Sequence, residues 1–165
     1  MKRRIGVVVV VLLVLGAWVT TQSQSPSLEG AWRVSEVVVK GAAASTNKAP
    51  QPGLYLFTKK HYSVMSVGGT EPRKPFPAAK DPDNLTDAEK MARFEAWDGF
   101  TANSGSYEVK GSMLTTTPIV AKNPSVMGRS QTREFKLAGN TLTLISKSAA
   151  GQPASETRTT LTRVE

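Results

Sequence analysis

The chain contains no cysteine among its 165 residues. That excludes a disulfide framework, a thiolate metal site, a cysteine nucleophile and a lipid-modified cysteine. It has one histidine, His61, so a His-rich metal centre and a histidine relay are excluded too. His61 adjoins Lys59-Lys60 and reads as a turn residue; as a lone base it has no G-x-S-x-G nucleophile elbow to serve. Acidic residues are outnumbered, 13 against 21 basic, giving a formal charge of +8. Three of the cations, Lys2, Arg3 and Arg4, belong to the N-terminal segment, which leaves 18 basic residues and about +5 for the rest. These are scattered rather than gathered on one face or helix, so a nucleic-acid partner is not expected. No metal site and no cofactor are expected either: the Asp81–Asn84 stretch (DPDN) lacks the full spacing of a calcium loop.

What is present begins with a leader. Lys2-Arg3-Arg4 precedes a 15-residue apolar run, Ile5 to Val19, and then Thr20 to Ser25, small and polar. This is the three-part secretory pattern, and the run is shorter than the ~20 residues that cross a bilayer. Thr21-Gln22-Ser23 puts small residues at the two cleavage-determining positions, so residues 1–23 are expected to be a signal peptide and 27–165 a single exported domain, periplasmic or secreted. An uncleaved leader would be the only membrane contact and would leave the domain in the same compartment.

The domain reads as all-β. Ser27 to Lys40 is a long first strand with a bulge expected at Ser35-Glu36. Gly41 to Pro52 reads as a loop. Gly53–Thr58 and His61–Val67 form a hairpin across Lys59-Lys60. Gly68 to Asn84, with four prolines, is a second loop. The period then changes: Thr86 and Glu89 make a capping box, and Met91, Phe94 and Trp97 recur at helical spacing. One amphipathic helix is expected from Asp87 to Asp98, lying across the barrel mouth or flank with those three side chains turned inward. Alternation returns in Ser104–Val109, Met113–Val120, Ser130–Leu137, Thr141–Ser146 and Glu156–Val164. Eight strands joined mostly by short turns imply an up-and-down antiparallel barrel, which removes exposed edges and leaves an interior that is filled or holds one small ligand.

From Leu28 to about Ile145 the chain resembles the bacterial lipocalin-like domain family. The matching pieces are LEGAWRVSEVVV, PGLYLFTKKHYSVM, RKPF, LTDAEK, GSYEV, NPSVMG and TREFKLAGNTLTL, in that order. Gly30-Ala31-Trp32 also resembles the G-x-W of the wider lipocalins. The resemblance implies a lipocalin-type barrel whose base is closed by Trp32 under an arginine of the last strand, Arg158 or Arg163, of which Arg158 is taken here. It implies no particular ligand. Lys59-Lys60 departs from the family where a glycine is expected at the turn.

Candidate site residues are the aromatics Tyr55, Phe57, Tyr62, Phe94, Trp97, Tyr107 and Phe135, read either as packed core or as a cavity lining. Arg133 alternates with Phe135 and Leu137, so it falls on the apolar face, where an unpaired charge is costly. It is expected either to meet an acidic head group, together with Arg73, or to pair with Glu36, Glu108 or Asp98. The leading expectation is a non-enzymatic barrel, monomeric or weakly dimeric, that binds a small hydrophobic or amphipathic ligand. The alternatives are a cavity isomerase or cyclase using a carboxylate with Tyr62 or Tyr107, and a filled barrel serving as an envelope interaction module. The leader reading is checked by intact-mass measurement of the exported protein, whose first residue is expected to be Gln24; retention of residues 1–23 would refute cleavage.

Overall fold

The computed structural model describes residues 27–165; the leader and its cleavage site lie outside the described residues. The strands are β1 (Gly30–Gly41), β2 (Ser45–Asn47), β3 (Gly53–Phe57), β4 (His61–Val67), β5 (Phe100–Lys110), β6 (Met113–Ala121), β7 (Gln131–Ala138), β8 (Thr141–Lys147) and β9 (Ser155–Arg163), with helix α1 (Asp87–Asp98) between β4 and β5. Strands β1 and β3 to β9 pair in antiparallel order, and β1 pairs β9 to close an eight-stranded barrel. The loop expected at Gly41–Pro52 is partly ordered as a ninth strand: β2 pairs Val37–Val39 along the β1 edge that β3 leaves free.

Local chemistry accounts for the irregularities. The β1–β9 register shifts between Val34 and Glu36, at the expected bulge. This lets the inward parity of Trp32 and Val34 give way to the Val37–Val39 run. A second bulge lies between Ser104 and Gly105, where Gly105 faces Pro118. Pro118 has no N–H for the ladder, and its carbonyl accepts instead from the Gly128 amide at 2.8 Å. A Cβ at Gly105 would collide with the Thr117 carbonyl, so no other residue fits that close crossing. The Lys59-Lys60 turn works without glycine: Thr58 N donates to the His61 carbonyl at 2.9 Å, and the Thr58 hydroxyl accepts from His61 N at 3.2 Å.

One end of the barrel is sealed. Leu28, Trp32, Leu142 and Leu161 are fully buried there and join Phe57, Tyr62, Val64, Leu114, Phe135 and Leu144 in one cluster. The Trp32 indole N–H donates to the Leu28 carbonyl at 2.8 Å. The Arg163 guanidinium lies 4.1 Å over the Trp32 ring and donates to the Glu29 and Ser27 carbonyls. The expectation that Arg158 covers Trp32 is therefore corrected. Arg163 is two residues from the buried Leu161 and shares its inward parity, and it pairs with Trp32 in register. Arg158 is three residues from Leu161 and points outward, bonded to Glu156 at 2.6 Å.

Helix α1 starts as expected. Thr86 accepts from Glu89 N at 3.3 Å, and the Glu89 carboxylate accepts from Thr86 N at 2.7 Å. Its packing differs from expectation. Met91, Phe94 and Trp97 are 57, 63 and 53% exposed, and the helix buries no residue. It touches the sheet mainly at β5, because its C-terminal end alone is tied down. Lys122 Nζ donates to the Trp97 and Asp98 carbonyls at 2.6 and 2.9 Å. These are orphan acceptors of the last turn, where a cation is also favoured by the helix dipole.

The arginine at the base is expected to matter more than the one outside. Arg163→Ala should cost about 2 kcal/mol, as loss of a half-buried cation–π contact and charged hydrogen bonds implies. Arg158→Ala, which breaks a part-buried ion pair on the outer face, should cost less, under about 1 kcal/mol. Urea unfolding of both variants measures the difference; a larger loss for Arg158→Ala would refute this account of the base.

Candidate functional site

The opposite end of the barrel stays open. A cavity of about 800 Å³ enters there. Its floor is apolar: Phe57, Val64, Leu114 and Leu144, each belonging to the core cluster, line it from below. Strand alternation puts them there, since each faces inward next to its register partner, as Phe57 faces Tyr62 and Tyr55 faces Val64. The wall carries Tyr55, Tyr62, Asn103, Thr116, Gln131 and Arg133, and Phe94 and Trp97 of α1 stand at the mouth with Lys122. Helix α1 thus contributes ring faces to the rim without entering the core.

Arg133 is the one wall residue with a formal charge. It is half-buried on β7, on the same face as Phe135. None of Glu36, Glu108 and Asp98 pairs with it: among the described residues no carboxylate lies within 4.0 Å of its guanidinium. Its side-chain neighbours are the Gln131 amide oxygen at 3.5 Å, the outer limit of a hydrogen bond, and the Tyr55 hydroxyl. Its guanidinium lines the cavity. Asp98, the one carboxylate of the lining, sits at the rim with its charge 3.9 Å from Lys122 Nζ.

The phenols register this field. Burial pushes the Tyr55 hydroxyl above the ordinary 10.0, and the Arg133 guanidinium beside it works in the other direction. Burial also raises Tyr62, against opposing effects of Thr116 and Arg133. The Tyr62 hydroxyl donates to Asn103 Oδ1 at 2.7 Å. Tyr107 is raised by burial and by the Glu29 charge.

Six of the residues singled out from the sequence meet in this cavity: Tyr55, Phe57, Tyr62, Phe94, Trp97 and Arg133. Three do not line it. Phe135 is 3% exposed, packed in the core although it shares the Arg133 face. Tyr107 sits edge-on to Phe57, with ring centroids 5.2 Å apart, and donates to the Thr58 carbonyl at 2.7 Å. Arg73 lies outside the barrel, 5.5 Å over the Phe100 ring. The sequence reading missed Asn103, Thr116, Gln131 and Lys122. Thr116 and Gln131 were within reach of a parity argument, from Leu114 and Arg133 respectively. Lys122 was not, since only the folded chain brings it to the end of α1.

Sheet and cavity together define a closed antiparallel barrel sealed at one end and open at the other, with room for a small molecule. The chain belongs to the lipocalin-like domain family, whose profile matches residues 29–164. Among solved structures it is similar to the crystal structure of an uncharacterized protein from Bacteroides eggerthii DSM 20697, with 11% identity, 83% of this chain and 99% of that chain covered, and a TM-score of 0.44. No curated protein matches the chain.

Three raised phenols carry a pH consequence. Between pH 10 and their folded values the native state keeps protons that the unfolded chain has released. Their ionisation leaves stability untouched below about pH 10 and lowers it as the pH rises from there through the folded values. Ultraviolet titration of Arg133→Met should show Tyr55, and to a smaller extent Tyr62, ionising at higher pH than in the parent protein, because the cation that favours both phenolates is gone. An unchanged or lowered titration would place Arg133 away from Tyr55.

Proposed function

We propose that the barrel is a binding site for a small amphipathic acid, that the protein acts by holding it rather than transforming it, and that it does so outside the cytoplasm. The observation that carries this reading is Arg133: a cation with no carboxylate partner among the described residues, facing a cavity whose floor is apolar. Solvent reaching the open cavity keeps this charge tolerable while it is unpaired, and an anion brought in with an apolar body would pair it at a site of reduced hydration. A carboxylate or sulfonate on the ligand supplies the missing partner, and the hydroxyl of Tyr55 and the amide of Gln131 flank it. The apolar body then covers Phe57, Val64, Leu114 and Leu144, with Phe94 and Trp97 above. A few placed polar groups in an apolar cleft are the usual composition of such sites. The family to which the chain belongs is in keeping with small hydrophobic ligands, and the leader favours an exported protein.

Two features favour binding over proton-transfer chemistry. The lining carboxylate Asp98 is at the rim, engaged by Lys122. The tyrosine hydroxyls that do hydrogen-bond within the described residues, Tyr62 and Tyr107, use Asn103 and a backbone carbonyl. A general acid or base needs a partner within hydrogen-bond reach of the reacting atoms. The volume of the cavity weighs against a barrel filled by its own side chains.

Displacement of a fluorescent fatty acid, dansyl-undecanoic acid, tests the reading. Decanoate should compete well with the parent protein and about 10- to 100-fold less well with Arg133→Gln, the worth of one charge-assisted hydrogen-bond set. Decanol, which lacks the charge, should lose less than about threefold. Equal losses for acid and alcohol, or no binding of either, would sink the proposal.

A further inference from the structure

A second pair of cations stands outside the barrel. Between α1 and the Gly68–Asn84 loop lies a cleft of about 340 Å³ lined by Arg73, Phe76, Arg93, Phe94 and Trp97. Each arginine lies over an aromatic ring of another segment. Arg73 of the loop lies 5.5 Å over Phe100, at the start of β5. Arg93 of the helix lies 5.5 Å over Phe76 of the loop. Each guanidinium thus lies over a ring face, and among the described residues neither has a side-chain hydrogen-bond partner. Among the described residues neither has a carboxylate within 4.0 Å. Glu89, one turn before Arg93, accepts from the Thr86 amide and hydroxyl through one oxygen, Oε2, at 2.7 Å, and acts on Arg93 only as a nearby charge without a salt bridge. Meanwhile Phe76, Phe94 and Trp97 are 45, 63 and 53% exposed. Isolated apolar residues on a surface need no account, but three aromatics in one cleft with two free guanidiniums form a patch of defined chemistry.

We infer that this cleft is a second, independent site for an organic anion with a planar or aromatic body. The rings offer stacking area, and the two guanidinium edges offer bidentate donors to one carboxylate or sulfonate. The cleft shares Phe94 and Trp97 with the barrel mouth, so occupancy of one site is felt by the tryptophan that borders both. The inference does not rest on the barrel reading: its cations are different, and each site fails or stands alone.

The probe is 1-anilinonaphthalene-8-sulfonate, an aromatic sulfonate, titrated into the protein as purified from cells. Two classes of site are expected. The double variant Arg73→Gln with Arg93→Gln should lose one class by about tenfold or more, as removal of charged hydrogen bonds implies, and keep the other. Arg133→Gln should do the converse. The double lysine variant, which keeps charge but not the planar fork, should weaken the outer class by less than the glutamine variant. Circular dichroism of each variant is to match the parent. No class of site weakened by the double glutamine variant, or equal losses for lysine and glutamine, overturns the inference; a single class abolished by that double variant supports it and counts against the barrel reading instead. Loss of both classes in Arg133→Gln would also overturn it, by making one continuous site, and would leave the barrel reading standing.

Discussion

The pairing of β1 with β9 is the constraint on which the molecule depends. It turns an open sheet into a barrel, and it sets Arg163 beside Trp32 in register. The guanidinium then does three things at once. It covers the indole face, and it satisfies the carbonyls of Glu29 and Ser27, where the chain passes under the barrel. It thereby seals one end with a group that stays charged and hydrogen-bonded. With one end sealed, inward side chains of the remaining strands face either a packed base or the space above it.

That division is graded along the barrel axis. Below, leucines and Trp32 exclude water almost completely. Above them the inward positions turn polar one at a time: Thr116 two residues beyond Leu114 on β6, and Arg133 two residues before Phe135 on β7. Eight strands enclose an interior near the limit that side chains can fill, so a few smaller or polar residues at the upper level suffice to leave a cavity. Arg133 is tolerated there because the cavity opens to solvent, which an enclosed core would not allow. Helix α1 adds to the mouth without joining the core, held at its start by its own capping box and at its end by Lys122.

The fold was largely legible in the residues. Alternating segments separated by turn residues marked eight strands, and Thr86 with Glu89 marked the start of α1. The shift at Ser35-Glu36 marked the bulge. Failures came where a residue's role depends on what lies across from it. Three residues of the Gly41–Pro52 loop pair with β1 because β3 leaves part of that edge free, which no local pattern reveals. The helix was expected to turn Met91, Phe94 and Trp97 inward, on the general rule that an apolar stripe faces a core. Here the helix lies at the rim, where no core is available to receive it. Parity with Leu161 separates the two arginines of the last strand, turning Arg163 inward onto Trp32 and Arg158 outward.

By itself the sequence determined the class of structure, the inward face of each strand and the presence of an arginine on one of those faces. These follow from periodicity, which is a property of neighbours along the chain. Only the tertiary structure decided which inward residues became core and which became wall: Phe135 packs against Leu144 while Arg133, two residues away, opens on a cavity. It also decided that Lys122 caps α1 and that Arg73 stands outside the barrel beside Arg93. The physical reason is that depth along the barrel and contact across it are set by how strands stagger and close, and that is absent from any single stretch of residues.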